Sequence, residues 1–506
     1  MTNRLLGYAA AAIFLAASLG CAKAEPPKPK FQMGKDTTFI TEPLDADGYL
    51  DFETALNERL RGKITPETNA VVVFCQALGP KPEGAEIPPE FYKWLGIEPP
   101  PAKGDYFVSL EDFLRKKTGK PLDSREFDAL MVLRKQPWTK KEHTLVAEWL
   151  DAIDKPLGLI GQGVERKDYF YPLVSTRKVV GRRGMLLGAL IPHVQKNRAI
   201  ANALLMRAMW RMGERKYDLA WQDLIVCQRL GRHAAHGGTH IETLVGNAVV
   251  AVAIQSQLAF LEQLKPDAKQ AITFIRELQS LPSMPTLIEK MELGERFVLL
   301  DCTQSIRRDG SEEGNDFGDI PKIPGPEREA ALDLLDWNAT FRVVFMNYDR
   351  AIEIAREPDR KKRKAEWAKL NTRLDEEVQI VRQKVKKQQN LSHDIGEQIG
   401  LILISLLLPA VDRIGNSHDR TEQSQQNLQL AFALAAYRAD NGKYPATLDS
   451  LAPKYLAKIP SDLFNDKPLI YKPNATGYVL YSVGENGKDD DGAVDDLTVR
   501  MPSGMR

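Results

Sequence analysis

Between about Trp138 and Leu300 the sequence places apolar side chains at helical spacing almost without a break. Residues that recur every three or four positions lie on one face of an α-helix, and other elements must cover that face. The first such stripe ends at Gly213 and consists of Ile200, Leu204, Leu205, Ala208, Met209 and Met212. A chain with this pattern is confined to a mainly α fold with a packed helical interior.

A second apolar stripe follows directly, within the segment KYDLAWQDLIVCQRLG. The two stripes predict a helical hairpin. It resembles a single tetratricopeptide-type hairpin, because Gly213, Tyr217 and Ala220 occupy the small and aromatic positions of that motif. No second copy follows at a fixed period, so a repeat array is not predicted. Thr239 and Glu242 then form a capping box ahead of an alanine-rich apolar segment, which predicts a central helix buried on nearly all sides.

Length and charge limit the classes of protein to consider. A chain of 506 residues exceeds one ordinary core, so about two or three domains are expected. The formal net charge of +1 provides no overall attraction to nucleic acid or to an anionic membrane. The basic run RKKRK at 360–364 is interpreted as a solvated helix face that the acidic residues 375–377 balance. No nucleic acid partner is therefore predicted.

The N-terminus has the pattern of an export signal, which predicts a periplasmic or extracellular location. Arg4 precedes the apolar segment Leu5–Leu19, which has signal-peptide length and is short for a membrane span. The sequence AKA that follows predicts cleavage of a signal peptide, residues 1–24, and this is the favoured interpretation. The alternative is a bacterial lipobox, in which Cys21 would carry a lipid anchor. Residues 25–40 are predicted to form a proline-rich tether.

The three cysteines that remain after such cleavage are Cys75, Cys227 and Cys302. None belongs to a C-x-x-C pair, so no zinc or thioredoxin-like motif is present. Each lies in an apolar segment, and we expect all three to be buried small hydrophobic residues.

Residues 396–506 have a different order of elements from the rest of the chain. An apolar run, Ile399–Val411, leads into the amphipathic segment NLQLAFALAAYRADNGKYP. The later segment PLIYKPNATGYVLYSVG alternates as expected for a hairpin that turns near Asn474–Gly477. This order resembles the type IV pilin-like domain, and above all the major pseudopilin (protein G) of type II secretion. The resemblance implies a small α+β domain with a short antiparallel sheet.

Two features depart from the pilin pattern. The hydrophobic helix is not at the mature N-terminus, so incorporation into a filament is not expected. The run Ile399–Val411 is also shorter than the roughly 20 residues that span a bilayer. We therefore expect it to be buried within this molecule, the alternative being a segment that faces a membrane surface or a partner.

The acidic segment GENGKDDDGAVDD follows the predicted hairpin. Major pseudopilins carry a calcium loop at this place. The resemblance therefore implies a candidate ligand set that comprises Ser482, Asp489, Asp490, Asp491, Asp495 and Asp496. Calcium takes about six to eight oxygen ligands, which clustered carboxylates and backbone carbonyls supply. The spacing lacks the closing glutamate of an EF-hand. The alternative is an exposed acidic turn that binds no ion.

Three histidines, His233, His236 and His240, lie close together near Glu242. On one helix they would form a metal-binding face. The glycines of HGGTH and the capping box favour instead a turn between His236 and His240, with solvent-facing histidines.

The segments LDADGYLDFETALNERLRG, IPPEFYKWLGIEPPP and GDYFVSLEDFL resemble the front part of a family of long, uncharacterised exported proteins of planctomycete bacteria. Together with the patterns above, this predicts a large helical domain, 41–390, with a polar loop at about 307–327, followed by the pseudopilin-like domain, 396–506.

We expect a non-enzymatic exported scaffold or interaction protein, with protein partners in the cell envelope or secretion machinery. No nucleophile elbow, H-E-x-x-H sequence, phosphate-binding loop or dinucleotide fingerprint is present in the sequence. The alternative is an extracytoplasmic hydrolase whose site lies in the helical domain near the histidine-rich turn. An exposed apolar groove would favour a binding protein, whereas polar side chains that converge in a deep pocket would favour an enzyme.

Overall fold

The structure, a computed structural model, describes residues 31–82, 84, 86–175, 185–189, 191, 193–309, 328–386 and 391–504. The predicted signal peptide, Cys21 and residues 310–327 of the predicted polar loop lie outside the described residues. The fold is mainly α-helical with one small antiparallel sheet near the C-terminus, as predicted. Packing contacts divide the chain into two units.

Helices dominate the described chain up to residue 441. In chain order they are α1 (Phe52–Arg61), α2 (Ala70–Leu78), α3 (Pro89–Leu95), α4 (Leu110–Thr118), α5 (Ser124–Met131), α6 (Thr144–Ala152), α7 (Asp154–Gly163), α8 (His193–Gly213), α9 (Tyr217–Ala235), α10 (His240–Leu264), α11 (Ala268–Gln279), α12 (Leu287–Lys290), α13 (Arg296–Asp309), α14 (Arg328–Asp333), α15 (Trp337–Ala355), α16 (Arg360–Lys386) and α17 (Leu391–Asn441). A π-helical turn, Met291–Glu295, joins α12 to α13. The strands are β1 (Ile470–Pro473), β2 (Tyr478–Ser482) and β3 (Leu497–Met501).

The first unit comprises Met1–Gly62, Leu173–Leu190 and Thr286–Arg413. Its described N-terminal segment is packed: Phe31 is buried with its ring centroid 4.7 Å from that of Phe341, and Thr37 and Thr38 are fully buried. Residues 31–40, the second part of the predicted tether, are therefore packed against this unit, with Phe31, Thr37, Thr38 and Ile40 buried. Burial of these side chains excludes the solvated, extended state expected of a tether.

Helix α13 places an unusual number of polar side chains in the interior of the first unit. Gln304 is fully buried and pairs with both backbone groups of Leu50, at 3.0 and 2.8 Å. Arg307 is buried and forms an ion pair with Asp333. These partners satisfy the Gln304 amide and one nitrogen of the Arg307 guanidinium, which would otherwise be costly to bury.

The first part of α17 packs against α15 in the same unit. Two glycines allow the close approach: a Cβ atom on Gly396 would lie 2.3 Å from the carbonyl oxygen of Asp336, and one on Gly400 would lie 2.8 Å from that of Thr340. The predicted burial of the apolar run is confirmed for most of its described side chains, which are Ile399, Leu401, Leu403, Ile404, Leu408 and Val411. Leu406 is exposed.

Helix α17 continues without interruption through Pro409, and its residues from Ile414 onward belong to the second unit. The boundary that the sequence predicts between residues 390 and 396 thus falls at the beginning of a continuous helix that runs on into the second unit. The predicted limits 41–390 and 396–506 stay predictions, and the packing units follow a different division of the chain.

The second unit comprises Lys63–Pro172, Ile191–Pro285 and Ile414–Arg506. It contains the predicted helical hairpin, α8 and α9, and the predicted capping box of α10. Among the described residues α10 is the one helix long and apolar enough to cross a membrane, and 61% of its most apolar stretch is buried inside the protein. The helix is therefore a core element, but the prediction that it is buried on nearly all sides is wrong: one stripe along it is exposed and consists of Ile241, Leu244, Ala248, Ala251 and Gln255.

The C-terminal sheet belongs to the second unit. The predicted hairpin is confirmed: the backbone N–H of Asn474 donates to the carbonyl of Gly477 at 2.9 Å, and β1 and β2 pair antiparallel on either side of this turn. Strand β3 pairs with the other edge of β2, so that Tyr478 lies opposite Met501. The second half of α17 is tied to the sheet by Asn427, whose side chain donates to the Leu497 carbonyl at 2.8 Å.

The cysteine prediction is confirmed. Cys75, Cys227 and Cys302 are buried free thiols, and burial raises the pKa of the Cys75 thiol to about 12. These side chains therefore act as small apolar residues of the core.

Candidate functional site

The acidic loop between β2 and β3 holds five of the six residues that the sequence predicts as calcium ligands. It starts at Gly484, whose φ of +65° suits glycine, and a Cβ atom there would lie 2.3 Å from the carbonyl oxygen of Asp495. The two ends of the loop are therefore in direct contact. On the helix side, Arg420 donates from Nη1 to the same Asp495 carbonyl at 3.3 Å.

Three carboxylates converge in this loop. Ligand oxygens of Asp490, Asp495 and Asp496 all lie within 4.8 Å of one another. Asp496 Oδ2 accepts hydrogen bonds from the backbone N–H groups of Asp490 and Gly492, at 3.2 and 2.8 Å, and Asp495 Oδ2 accepts one from the backbone N–H of Asn486 at 2.9 Å. The other carboxylate oxygen of Asp495 and of Asp496, Oδ1, differs in its hydrogen bonding.

The Oδ1 atoms of Asp495 and Asp496 are buried, and neither has a hydrogen-bond donor in the described part of the chain. Burial raises the pKa of Asp496, with the nearby carboxylates of Asp490 and Asp489 acting in the same direction, while backbone N–H groups lower it. A buried carboxylate oxygen without a donor is unfavourable, and a cation between these groups would compensate both the repulsion and the missing bonds.

The other predicted ligands contact protein groups outside this triad. Ser482 is fully buried and donates to Asp462 Oδ1 at 2.9 Å. Asp489 accepts from the Tyr481 hydroxyl at 2.9 Å, and Asp491 pairs with Lys472 at 2.9 Å. The structure thus brings together three of the six predicted residues, Asp490, Asp495 and Asp496.

The backbone of the same loop is strained at two non-glycine positions. Asp491 has a φ of 56° and Val494 a φ of 49°. A β-branched side chain is disfavoured in this region, and Val494 is 87% exposed, so its own packing contributes little to hold it there. Strain of this kind persists where surrounding groups determine the backbone conformation, and it clusters at ligand sites.

The histidines near the turn between α9 and α10 are placed differently from the prediction. The turn itself is present, but His233 and His240 are buried, and only His236 of the three is exposed. His233 Nε2 lies 3.1 Å from the Val164 carbonyl, and its ring stacks on Tyr169. Burial lowers the pKa of His233, which favours the neutral ring. The prediction of solvent-facing histidines is therefore wrong for two of them: His233 lies within α9 against Val164 and Tyr169, and His240 is the buried first residue of α10.

Sequence reasoning missed His193, which lies at the start of α8, far along the chain from the turn. Its Nε2 lies 2.7 Å from Oε1 of Glu242, and the other oxygen of Glu242 accepts from the backbone N–H and hydroxyl of Thr239 at 2.9 and 3.0 Å. The Tyr171 ring stacks on His193 with centroids 3.5 Å apart. Both members of the pair are buried, and in the described chain no nucleophilic side chain hydrogen-bonds to His193. This arrangement joins α8 to α10 as a structural contact.

A surface groove in the first unit is a second candidate site. It lies among α15, α16 and α17 and has a volume of about 450 Å³. We call it the α15–α17 groove. Its apolar lining consists of Val343, Met346, Ile380, Val381 and Leu401. Arg350, Arg373 and Lys384 also line it, as do Glu377 and Glu397. The groove is therefore apolar at its base and charged at its edge.

Comparison of the chain with protein-family models, curated proteins and solved structures finds no match.

Proposed function

We propose that this protein is an exported, non-enzymatic interaction protein of the periplasm or extracellular space, with a pseudopilin-like C-terminal domain that calcium stabilises. The export pattern around Arg4 and Leu5–Leu19 supports the location. The order of long helix, hairpin and acidic loop supports the pseudopilin-like assignment. Its partners would be proteins of the cell envelope or of secretion machinery.

One observation carries the calcium proposal: three carboxylates converge, and two buried oxygens among them have no donor in the described chain. Asp490, Asp495 and Asp496 would hold the ion. Calcium prefers hard oxygen ligands, and a loop rich in carboxylates and backbone carbonyls fits that preference. Bound calcium would neutralise the repulsion between these groups and thereby stabilise the loop between β2 and β3.

A binding role is favoured over hydrolysis by the contrast between two sites. The α15–α17 groove is open and apolar at its base, which is the character of a binding surface. The His193–Glu242 pair, which comes nearest to a general base with its orienting carboxylate, is buried and has no nucleophile bonded to it among the described residues. Hydrolysis requires a general base, and a nucleophile or water beside it, that the substrate can reach.

Thermal melting of the full chain with calcium and with chelator tests the proposal. A ligand that binds only the folded state at about 100 times its Kd adds about 2.7 kcal/mol to the free energy of unfolding. We expect calcium to raise the melting midpoint of the wild type. Asp495→Asn and Asp496→Asn should each abolish the rise, because each removes one of the converging charges.

The matched control is Asp491→Asn, which removes a carboxylate from the same loop whose contact is with Lys472. This variant should retain the calcium-dependent rise. Calorimetric titration with calcium on each folded variant separates loss of binding from loss of folding. An unchanged midpoint in the wild type, or an equal rise in the wild type and in Asp495→Asn, would exclude calcium from this loop.

A further inference from the structure

The α15–α17 groove leaves large apolar side chains open to solvent. Met346 is 64% exposed and Ile380 is 54% exposed, and both line the groove. At its base Val381 and Leu401 are buried, at 5% and 3% exposed. Neighbouring exposed apolar groups above an apolar base mark ligand or partner sites in soluble proteins. The groove is thus suited to an apolar chain.

The charges at the edge of the groove are unequal. Three cations, Arg350, Arg373 and Lys384, face two carboxylates, Glu377 and Glu397. Arg373 pairs through Nε with Glu377, and Lys384 lies 3.9 Å from Glu397. No hydrogen bond or ion pair joins Arg350 to another group within the described residues, although its neighbour Asp349 pairs with Arg296. The groove therefore carries one positive charge more than its carboxylates balance.

We propose that the α15–α17 groove binds a linear monoanionic amphiphile of the fatty-acid class. The acyl chain would cover Met346 and Ile380 and reach Leu401, and the carboxylate would pair with Arg350. A guanidinium group offers paired donors that match the geometry of a carboxylate. The volume of about 450 Å³ lies within the range of roughly 300–1,000 Å³ that small-molecule sites occupy. The inference rests on the proposed binding role and names its ligand.

Calorimetric titration of the full chain with decanoate, below its micelle concentration, tests the proposal. We expect saturable binding of one decanoate per chain. Arg350→Gln should weaken the affinity about tenfold, because the pairing charge is lost. Ile380→Ser should weaken it several-fold by removing apolar contact. Both side chains are exposed, so these variants should fold. Lys361→Ala, which removes an exposed cation of α16 that does not line the groove, is the matched control and should bind as the wild type does.

Decyltrimethylammonium, which has the same chain and the opposite charge, should not bind. Any of three results would overturn the proposal: no saturable binding of decanoate, equal affinity for the cationic amphiphile, or unchanged affinity in Arg350→Gln. Binding to phosphatidylglycerol vesicles without binding of monomeric decanoate would overturn it as well. Calcium-dependent melting is measured on the same sample, so failure of the calcium loop and failure of the groove are separate outcomes.

Discussion

At the scale of single residues, Asp301 lies inside the first unit, where its carboxylate accepts a 2.6 Å hydrogen bond from the backbone N–H of Leu186. Burial raises the pKa of Asp301 to about 7. The bond from Leu186 and the positive charge of Arg308 act against the shift, and the carboxylates of Glu53 and Asp51 add to it. The folded protein therefore keeps a proton on Asp301 that the unfolded chain releases near its ordinary value of 3.8.

This difference predicts how stability depends on pH. Between about pH 4 and pH 7 the folded state binds one proton more than the unfolded chain. The contribution of Asp301 to the free energy of unfolding is therefore fully present below pH 4 and is lost as the pH rises to about 7. The slope in that window is at most about 1.4 kcal/mol per pH unit. Asp301→Asn keeps an acceptor for Leu186 and cannot ionise. We expect urea unfolding to show a more stable variant at pH 8 and a flatter pH profile.

Asp449→Asn, which changes an exposed carboxylate, serves as the control. Its pH profile of stability should match that of the wild type. A profile for Asp301→Asn parallel to that of the wild type between pH 4 and pH 7 would show that Asp301 is ionised in the folded state throughout this range.

At the scale of elements, α9 and α10 approach each other closely because two glycines meet at their crossing. A Cβ atom on Gly246 would lie 2.5 Å from the carbonyl oxygen of Gly231 and 2.5 Å from the backbone N of Ala235. A Cβ atom on Gly231 would lie 2.9 Å from the Gly246 carbonyl oxygen. Backbone atoms cannot move aside as a side chain can, so any added atom must separate the two helices.

Gly246→Ala should therefore destabilise the protein, although alanine is the better helix former. Overpacking of a core typically costs about 1–3 kcal/mol, which exceeds the gain of up to about 1 kcal/mol in helix propensity. Chemical denaturation measures the change. Gly158→Ala in α7, where a Cβ atom would meet nothing within 4 Å, is the matched control and should stabilise the protein. Stabilisation by both substitutions would contradict the close crossing.

At the scale of the whole molecule, the chain after Ile414 shares one packing unit with helices that precede it by some two hundred residues. Phe432 of α17 is fully buried and lies with its ring centroid 5.6 Å from that of Trp221 in α9 and 5.8 Å from that of Phe274 in α11. The C-terminal sheet is held to this part of α17. The segment after Ile414 therefore shares its core with α9 and α11 of the second unit.

This shared core predicts that the segment does not unfold alone. Phe432→Ala should cost about 3–5 kcal/mol, as for other buried aromatic side chains. Hydrogen exchange of the variant should show loss of protection in α9 and in strands β2 and β3 together. Loss confined to the chain after Ile414 would show instead an autonomous C-terminal domain. Phe113→Ala, a partly exposed phenylalanine of α4, is the control and should change neither region.

Several features of this protein follow from local sequence alone. The helical spacing before Gly213, the capping box of Thr239 and Glu242, and the turn at Asn474 depend on residues within a few positions of one another. The acidic loop is also evident, because its charges are consecutive in the chain. The sequence does not show which three of the six candidates converge, because the convergence of Asp490, Asp495 and Asp496 depends on where β2 and β3 end. It depends too on the contact of Gly484 with Asp495, which joins residues eleven positions apart.

The amino-acid pattern by itself determined a helical protein with a small C-terminal sheet and an acidic loop, since these features depend on periodicity and short-range hydrogen bonds. Tertiary structure alone decided that His233 and His240 are covered, that His193 meets Glu242, and that three helices form the α15–α17 groove. Burial and long-range pairing depend on which elements pack together. Contacts between remote segments leave no periodic signal in a single sequence.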